Sequence, residues 1–391
     1  MKREENLAVS LTVQSLAEAT RETLGSRQAP GRLDSHLRET MRWLCRAQDA
    51  VDGGVSRGFA LLPTRGQWRS GWLAAYPETT GYIIPTFIEY FRFTGESDYL
   101  TRAVQMARWE TKVQMSQGAV QGGVVGLPPE PTVFNTGQVL FGWVAAYEQT
   151  GDEAFLASAI RAADFLLSVQ DSDGAWRRYE SPYTHPGART YDARTAWGLL
   201  ETSRVSSEPR YREAAIRNLD FVLTQQAPNG WFANCCISDD ERPLLHTIAY
   251  TMEGLLEASA ILSTPRYLDA ARKAADVLVD LLRPDGSLAA RFDSKWQPTV
   301  RWTCLTGDAQ TALVWLRLSE LAGDSRYSRA ARRVNRYLCG TQSLGSSHPG
   351  VRGGVKGSDP IWAWYGRYQF LNWAAKFLAD SLMVELSHSA Q

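Results

Sequence analysis

Two kinds of helical segment alternate along the chain, and they differ in how their apolar positions are spaced. Segments of the first kind are apolar on nearly every side, as in VLFGWVAAYEQ and TAWGLLETS, which predicts largely buried helices. Segments of the second kind are amphipathic, as in EAFLASAIRAADFLLSVQ and PRYREAAIRNLDFVLTQQ, which predicts helices with one wet face. Turns such as TGD, SEP and STP separate the two kinds, and DG or NG turns close each pair. The pattern therefore predicts repeated two-helix units.

Two independent sets of residues give these units a fixed period. Aromatic residues that follow the turn inside a unit recur every 56 residues, at Tyr99, Phe155, Tyr211 and Tyr267, and Tyr327 follows after 60. Glycines recur with the same period of 56, at Gly118, Gly174, Gly230 and Gly286. Agreement between two such sets is typical of a repeat architecture, in which each unit packs against the next.

Counting the segments gives six helices of each kind. Inner helices are predicted near 80–93, 136–149, 192–204, 248–262, 308–322 and 368–386, and outer helices near 37–49, 97–115, 152–170, 208–226, 265–282 and 325–339. An open repeat array needs a polar cap, but the last inner segment, YQFLNWAAKFLADSLMVEL, is strongly apolar and can pair with helix 37–49. We therefore predict an all-α (α/α)6 toroid over residues 31–391, with an N-terminal helical extension over 1–30.

Composition narrows the class of partner. Apolar residues make up 44% and charged residues 21% of the 391 positions, and the net charge is zero, which speaks against nucleic-acid or polybasic membrane binding. No stretch of 18 apolar residues predicts a membrane span, and the N-terminus lacks the apolar run of a signal peptide. Five scattered cysteines favour a reducing compartment, so we expect a cytoplasmic protein.

Candidate chemistry gathers at one face of the predicted ring. Inner helices run in the same direction there, so their positive amino ends and the long loops before them share one rim. The period aligns three sets of first-turn residues: Glu78, Phe134, Thr190, His246 and Thr306; then Thr80, Thr136, Asp192, Ile248 and Asp308; then Tyr82, Gln138, Arg194, Tyr250 and Gln310. Positions that served packing alone would be filled uniformly, and these are not.

From these sets we take catalytic candidates, which are Glu78, Asp192, His246, Asp308 and Tyr250. Glycosidic-bond cleavage requires one protonated acid and one carboxylate that acts as base or nucleophile, and the rim supplies three acids. Structural roles stay open beside this reading. Asp192 and Asp308 fit helix caps, Glu78 fits the helix dipole, and His246 and Tyr250 fit the core.

Substrate-binding candidates come from the polar rim and from aromatic residues in the long loops. They are Arg194, Gln138, Gln310, Trp68, Trp72, Trp302, Lys356, Trp362, Trp364 and Tyr365, with Tyr183 and Trp296 as further sugar-stacking candidates. The 14 Trp and 15 Tyr serve either as core or as sugar platforms. We expect an oligosaccharide or glycan as partner, no cofactor and no metal, and we leave a homo-oligomer open.

Longer phrases in the chain resemble a known family. ETTGYIIPTF, FNTGQVLFG, HTIAYTMEGLLEA, WTCLTGDAQTALVWLRL and GGVKGSDPIWAWYGRYQFLNWAAKFLAD look like a family of bacterial proteins encoded in exopolysaccharide biosynthesis clusters. The resemblance spans roughly residues 70–385. It implies a toroid of the six-hairpin glycosidase type, a group that also includes unsaturated glucuronyl hydrolases, polysaccharide lyases and sugar epimerases.

Two other toroid classes match less well. QDSDGAW at 170–176 fits the Q-x-x-x-G-x-W repeat of prenyltransferases and squalene cyclases. The acidic motifs of those enzymes, D-x-D-D and D-D-x-x-D, are missing, and SDDER at 238–242 matches them only in part. Zinc lanthionine cyclases use two Cys and a His, and here Cys235, Cys236, Cys304 and His246 invite the comparison. Adjacent cysteines cannot easily reach one metal together, and no C-x-x-C spacing or nucleotide-binding motif is present.

The sequence thus favours a carbohydrate-active enzyme, with hydrolysis as the first hypothesis. Lyase or epimerase chemistry on a uronic acid is the alternative, with His246 and Tyr250 as base and acid. In that alternative Arg194, Arg301 or Lys356 would neutralise the carboxylate. A non-catalytic glycan-binding scaffold in a polysaccharide assembly is the contrasting class.

Overall fold

The computed structural model describes residues 2–25, 29–63 and 70–390, and this part of the chain is mostly helical. Within it, twelve helices form six hairpins and a further helix, α1 (Lys2–Thr23), precedes them. The inner helices are α3 (Pro77–Thr94), α5 (Val133–Thr150), α7 (Ala193–Ser206), α9 (Leu245–Leu262), α11 (Leu305–Ala322) and α13 (Asn372–Ala390). The outer helices are α2 (Leu33–Asp49), α4 (Ser97–Val113), α6 (Glu153–Val169), α8 (Pro209–Thr224), α10 (Pro265–Asp280) and α12 (Ser325–Thr341).

The inner helices form one ring inside a ring of outer helices, which confirms the predicted (α/α)6 toroid. Four inner helices begin three residues before the predicted start, at Pro77, Val133, Leu245 and Leu305. A short 3-10 turn over Thr190–Asp192 leads into α7. In the described residues, no helix is both long enough and apolar enough to cross a membrane.

The ring closes between its last hairpin and its first. Helix α13 packs against both α2 and α3, so the sixth hairpin is made from the two ends of the chain. Asn372 donates a hydrogen bond to the Thr79 hydroxyl on α3 at 2.8 Å, and the rings of Phe377 and Tyr82 lie 5.8 Å apart. Closure covers the apolar face that an open repeat array would expose to water.

Short strands fasten the rim loops at the same seam. An antiparallel sheet in the order β2 (Gly71–Trp72), β1 (Gly58–Ala60) and β5 (Gln369–Leu371) joins the first rim loop to the last, and Phe59 pairs with Phe370. Strand β5 is also why α13 begins at Asn372 and not near 368 as predicted. A second pair, β3 (Thr303–Cys304) with β4 (Ser358–Asp359), joins the fifth and last rim loops.

The two repeating sets of residues turn out to mark contacts between successive outer helices. Gly174 has a φ of 89°, and a Cβ there would overlap the backbone carbonyl of Arg217 on α8. The Tyr211 hydroxyl on α8 donates to Asp164 on α6 at 2.7 Å, and equivalent Tyr267 donates to Asp220 at 2.6 Å. The 56-residue period is therefore fixed by how one hairpin packs on the next.

The repeated Thr-Gly phrase at the start of the inner helices is also architectural. A Cβ at Gly81 would lie 2.6 Å from the Cα of Val139 on the next inner helix, so glycine lets the two backbones approach. The hydroxyls of Thr80 and Thr136 accept the N–H groups of Val55 and Val120, both at 2.9 Å. Each threonine thereby ties the preceding rim loop to its inner helix.

Helix α1 lies outside the ring and braces the long loop between α12 and α13. Ser346 in that loop donates to Glu18 at 2.7 Å, and Lys356 donates to Glu22 at 2.9 Å. The Tyr368 and Thr23 hydroxyls lie 3.1 Å apart. The predicted N-terminal extension is thus a helix that packs on the rim loop carrying Trp364 and Tyr365.

One outer helix carries a carboxyl group in the apolar interior. Glu110 on α4 is fully buried, and among the described residues neither of its carboxyl oxygens has a hydrogen-bond partner. Equivalent positions in later hairpins are apolar: Leu166, Val222 and Leu278. Burial raises the pKa of Glu110 well above its ordinary value, so this carboxyl keeps its proton in the folded protein.

Replacing Glu110 by leucine should stabilise the fold. Removing a buried polar group that lacks a partner should raise the free energy of unfolding by about 1–3 kcal/mol, measured by urea denaturation. The gain should grow as pH rises above 4.5, because wild-type Glu110 must hold its proton when folded but releases it when unfolded. Glu213→Leu on the exposed face of α8 is the matched control, and a less stable Glu110→Leu would contradict the interpretation.

Candidate functional site

A pocket opens at the amino ends of the inner helices, where the rim loops converge. We call it the front pocket, and its volume is about 400 Å³. Its walls are Arg57, Tyr76, Glu78, Tyr82, Phe134, Ser181, Tyr183, Thr184, Tyr191, Ile237, Ser238, Leu244, His246, Thr247, Tyr250, Trp364, Tyr365, Gly366 and Trp373. Aromatic walls around a few convergent polar groups are usual for small-molecule sites.

Glu78 lies in the first turn of α3 and faces this pocket. Burial raises the pKa of its carboxyl to about 7, against the opposing effects of the Tyr76 hydrogen bond and of the Arg194 and Arg57 charges. The Tyr76 hydroxyl donates to the Glu78 carboxyl at 2.5 Å, which fixes the orientation of the group. Near neutrality Glu78 is therefore poised between its acid and base forms.

His246 occupies the equivalent first-turn position of α9. Burial lowers the pKa of its imidazole to about 4, and the positive charge of Arg194 adds to the effect. Its Nδ1 lies 2.5 Å from the side-chain oxygen of Gln310. With that oxygen as acceptor, Nδ1 carries the proton and Nε2 keeps its lone pair, so the neutral imidazole is a base.

Aromatic hydroxyls line the pocket floor between these two groups. The ring of Tyr250 lies 4.4 Å from that of His246, one helical turn further along α9. Burial raises the pKa of Tyr250 and of Tyr82, and the buried Tyr250 hydroxyl has no hydrogen-bond partner among the described residues. Trp373 donates its indole N–H to the Tyr365 hydroxyl at 3.0 Å. These hydroxyls stay protonated and can act as hydrogen-bond donors.

Arg57 is the guanidinium that reaches the front pocket from the first rim loop. It lies 5.5 Å over the Trp373 ring and is only partly buried. Among the described residues no carboxylate forms an ion pair with it. A cation that lines a pocket without a protein counter-ion leaves charge for a bound anion.

The floor of the front pocket is sealed by a buried charge pair. Arg194 forms an ion pair with Glu253, and its Nε donates to Gln138 at 2.6 Å. Its guanidinium also lies 5.1 Å from the rings of both Phe141 and Tyr250. Arg194 and Gln138, expected to bind substrate, therefore lie beneath the pocket and not on its wall.

Asp308 does not converge on the front pocket as expected. Its carboxyl is fully buried and accepts the backbone N–H of Leu288 at 3.4 Å. Thr80 and Thr136, at the equivalent positions, accept the matching N–H groups of their own loops. The same hydrogen-bonding position is filled by different side chains, so the variation at this position has an architectural cause.

Asp192 also lies outside the front pocket. It lines a small neighbouring cavity with Glu180 and Arg189, behind the shared wall residues Phe134 and Tyr191. Burial raises its pKa well above the ordinary value, and the nearby Glu180 charge adds to the effect. The expected convergence of Glu78, Asp192, His246 and Asp308 is therefore met only by Glu78 and His246.

The structure divides the remaining candidates. Trp364 and Tyr365 line the front pocket, and so does Tyr183, whereas Trp72, Trp302 and Trp362 do not, and Trp68 lies outside the described residues. Trp72 packs on Trp43 and Phe59, and Trp296 is buried against Trp231. Gln310 is buried and holds His246.

The alternative cations for a substrate carboxylate also lie elsewhere. Lys356 pairs with Glu22 and with Asp359, at 2.9 and 3.5 Å, because α1 and the last rim loop enclose it. Arg301 lines the same separate cavity as Lys356. Within the described ranges, no three His, Cys, Asp or Glu side chains are grouped so that they could hold a metal ion.

Sequence reasoning missed Arg57, Tyr76 and Trp373. Arg57 lies in the first rim loop, ahead of Tyr99 and Gly118, the first residues of the two sets that define the period, so alignment by period did not reach it. Tyr76 sits two residues before Glu78, next to a chosen residue, but nothing in the pattern shows that its hydroxyl turns back to the carboxyl.

Comparison with known proteins relates this chain to solved structures alone. A scan against protein-family models finds no match, and a search of curated proteins finds none. An unsaturated glucuronyl hydrolase specific for heparin matches with a TM-score of 0.73 and 15% identity, over 92% of this chain and 98% of that one. A sugar epimerase from a ruminal bacterium matches with a TM-score of 0.73 and 12% identity, over 92% and 98%.

A third match is an unsaturated glucuronyl hydrolase from Bacillus sp. GL1, responsible for the degradation of glycosaminoglycan. Its TM-score is 0.69 with 14% identity, over 90% of this chain and 96% of that one. The TM-scores show that this chain shares its fold with these proteins, and at identities this low the likeness shows the fold alone.

The carboxyl of Glu78 should titrate far above the ordinary range. In the infrared difference spectrum between wild type and Glu78→Gln, we expect a carboxyl band that disappears with a midpoint at about pH 7. Because the folded pKa is raised, wild type should lose stability relative to Glu78→Gln as pH rises from 4.5 to about 7. A midpoint near pH 4.5 would show that the Glu78 carboxyl is hydrated and has its ordinary pKa.

Proposed function

We propose that this protein is a carbohydrate-processing enzyme whose reaction takes place in the front pocket by proton transfer. Support comes from the fold, which it shares with proteins named as unsaturated glucuronyl hydrolases and sugar epimerases. Further support comes from the polar groups that converge at the rim, since in this type of fold function depends on the site and not on the scaffold. The predicted setting in polysaccharide biosynthesis belongs to this proposal.

The observation that carries the proposal is the pairing of Glu78 and His246 in one pocket. One is a carboxyl with a pKa of about 7 and the other an imidazole with a pKa of about 4. Near pH 6 the carboxyl holds its proton while the imidazole has none, so an acid and a base stand ready together. Groups whose pKa values are pushed apart in this way identify acid and base assignments.

Proton abstraction next to a carbonyl or carboxyl carbon suits this pair. His246 takes the proton from the carbon through Nε2, and the electron pair of the broken C–H bond moves onto the carbonyl oxygen as an enolate. The hydroxyls of Tyr250 and Tyr82 are protonated donors for that oxygen. Return of a proton from Glu78 to the carbon gives an epimer, whereas loss of the neighbouring substituent, protonated by Glu78, gives an unsaturated sugar.

Arg57 points to an acidic sugar as substrate. Its guanidinium lines the pocket without an ion pair to any carboxylate of the described residues, and a uronate would supply a counter-charge through a paired hydrogen bond. The same charge would stabilise the enolate formed next to the carboxylate. Arg57 takes the role that the sequence assigned to Arg194, Arg301 or Lys356.

Hydrolysis is the second candidate, and the raised pKa of Glu78 favours it. A carboxyl that is protonated near neutrality can donate its proton to a glycosidic oxygen. It ranks second because Glu78 is the one carboxyl group among the described residues that line the pocket. Asp192, which would complete a carboxyl pair, lies behind Phe134 and Tyr191.

The decisive experiment follows disaccharides that end in a uronate by NMR in D₂O. Proton transfer predicts exchange of deuterium into one ring C–H, together with a new epimer or an unsaturated product. Glu78→Gln and His246→Ala should lower the rate by about 100-fold or more, while Glu213→Gln should not. New reducing ends without exchange would select hydrolysis, and no turnover of any acidic or neutral disaccharide would leave binding as the function.

The pH profile provides a separate check. The free enzyme is competent when His246 is neutral and Glu78 is protonated, so kcat/KM should be highest between about pH 4 and about pH 7. It should fall below the lower limit as His246 gains a proton, and above the upper limit as Glu78 loses one. A profile that rises steadily above pH 7 would contradict these roles.

Trp364 should contribute a stacking surface for the substrate. Its ring is 59% exposed, lines the front pocket and lies 4.8 Å from the Arg291 guanidinium. Trp364→Ala should weaken binding of a uronate disaccharide by about 0.5–1.5 kcal/mol in titration calorimetry, with little change in melting temperature. Trp302→Ala is the matched control outside the pocket, and equal losses in both variants would reject this role.

A further inference from the structure

A second and larger cavity opens at the opposite end of the ring. We call it the rear chamber. Its volume is about 1070 Å³, and it lies inside the carboxyl-terminal halves of the inner helices. Arg194 and Tyr82 belong to its floor, so the sealed charge pair under the front pocket separates the two cavities. The proposed reaction takes place in the front pocket, and of the described site candidates only Arg194 also lines the rear chamber.

The rear chamber is built in layers by the helical repeat. Its floor holds two ion pairs that balance in charge, the buried pair of Arg194 with Glu253 and the pair of buried Lys376 with partly buried Asp380. Above the floor the wall is aliphatic and aromatic, and includes Val144, Ala145, Leu256, Leu313, Val314 and Met383. The last turns of the inner helices then form a charged rim, because residues three to four apart share one helix face.

The charge of the rim is unbalanced. Its carboxylates are Glu89, Glu148, Glu201, Glu257 and Glu320, and its guanidinium groups are Arg92, Arg204 and Arg317. Among the described residues the rim therefore has five acids and three permanent cations, with His388 bound to Glu320. The inner helices also direct their carboxyl ends toward this mouth, which adds partial negative charge.

Ion pairs across the rim account for only part of this pattern. Arg204 on α7 pairs with Glu148 on α5, and Arg317 on α11 pairs with Glu257 on α9, so these pairs link neighbouring inner helices. The same two arginines also hold a second carboxylate each within their own helices. Sharing one cation between two carboxylates leaves net negative charge above an apolar wall.

We propose that the rear chamber binds an aliphatic polyamine. Such a molecule carries ammonium groups that match the acidic rim, and methylene segments that match the apolar wall below it. Glu89 and Glu148 each pair with one arginine, Arg92 and Arg204, but both carboxylates are half-exposed, so an ammonium group can approach them from the solvent side. The floor carries no net charge, so it neither attracts nor repels the polyamine strongly. This site is independent of the proposed reaction in the front pocket.

Titration calorimetry with spermidine tests the proposal on the full chain. We expect one saturable site whose affinity falls as NaCl is raised, because exposed charges are screened. Glu89→Gln and Glu148→Gln should each weaken binding by about two- to fivefold, the usual range for a partly exposed ion pair. Ala145→Trp should weaken binding by narrowing the apolar part of the chamber without changing its charge.

Controls separate this site from general attraction of cations. Glu213→Gln removes the same charge from an outer helix and should leave the affinity unchanged. MgCl₂ at equal ionic strength should not compete beyond its screening effect. Equal weakening by all three Glu→Gln variants, undiminished binding to a folded Ala145→Trp variant, or tighter binding of a lysine-rich peptide than of spermidine would each overturn the proposal. So would the lack of saturable binding.

Discussion

The structure depends on one constraint, which is that an inner helix apolar on nearly every side must be covered on nearly every side. One hairpin cannot do this alone, because its outer helix covers only one face of its inner helix. Successive hairpins cover the lateral faces, and only closure of α13 onto α3 covers the last of them. Glycines such as Gly81 let the inner backbones approach, and the strand pair β1–β5 repeats the closure among the loops. The packing of the helices and the positions of the rim loops therefore depend on each other.

Because contacts between hairpins hold the ring together, the loops at its two ends can differ in length and composition. At the amino ends, long loops cover the opening and leave a front pocket rich in aromatic rings. At the carboxyl ends, short turns leave the rear chamber open. The buried pair of Arg194 and Glu253 separates the two cavities, and its positive charge acts on both Glu78 and His246. The same burial that stabilises the ring also shifts the pKa values of Glu78 and His246, because removal from water disfavours the charged form of each group. Stability and candidate chemistry thus have one physical origin.

Much of this could be read from the chain. Period, helix type and closure follow from local features, namely apolar spacing, turn residues and the apolar last helix, so the toroid was predictable. Alignment by period also placed Glu78, His246 and Tyr250 in equivalent first turns, and the structure brings all three to one pocket. It failed for Asp308, because a loop N–H accepted by threonine in one unit is accepted by aspartate in another. It did not find Arg57, which lies in the first rim loop, ahead of the residues that define the period.

The sequence by itself determined the repeat, the fold class and the direction in which the inner helices run, because each depends on interactions within a hairpin or between adjacent ones. Only the tertiary structure decided which rim residues meet. Side chains on helices far apart in sequence share a pocket according to the depth and rotation of each helix in the ring. Phe134 and Tyr191 separate Asp192 from the front pocket for that reason. The tertiary structure alone also decided protonation, since the pKa of Glu78 and of His246 is set by burial among residues from several hairpins.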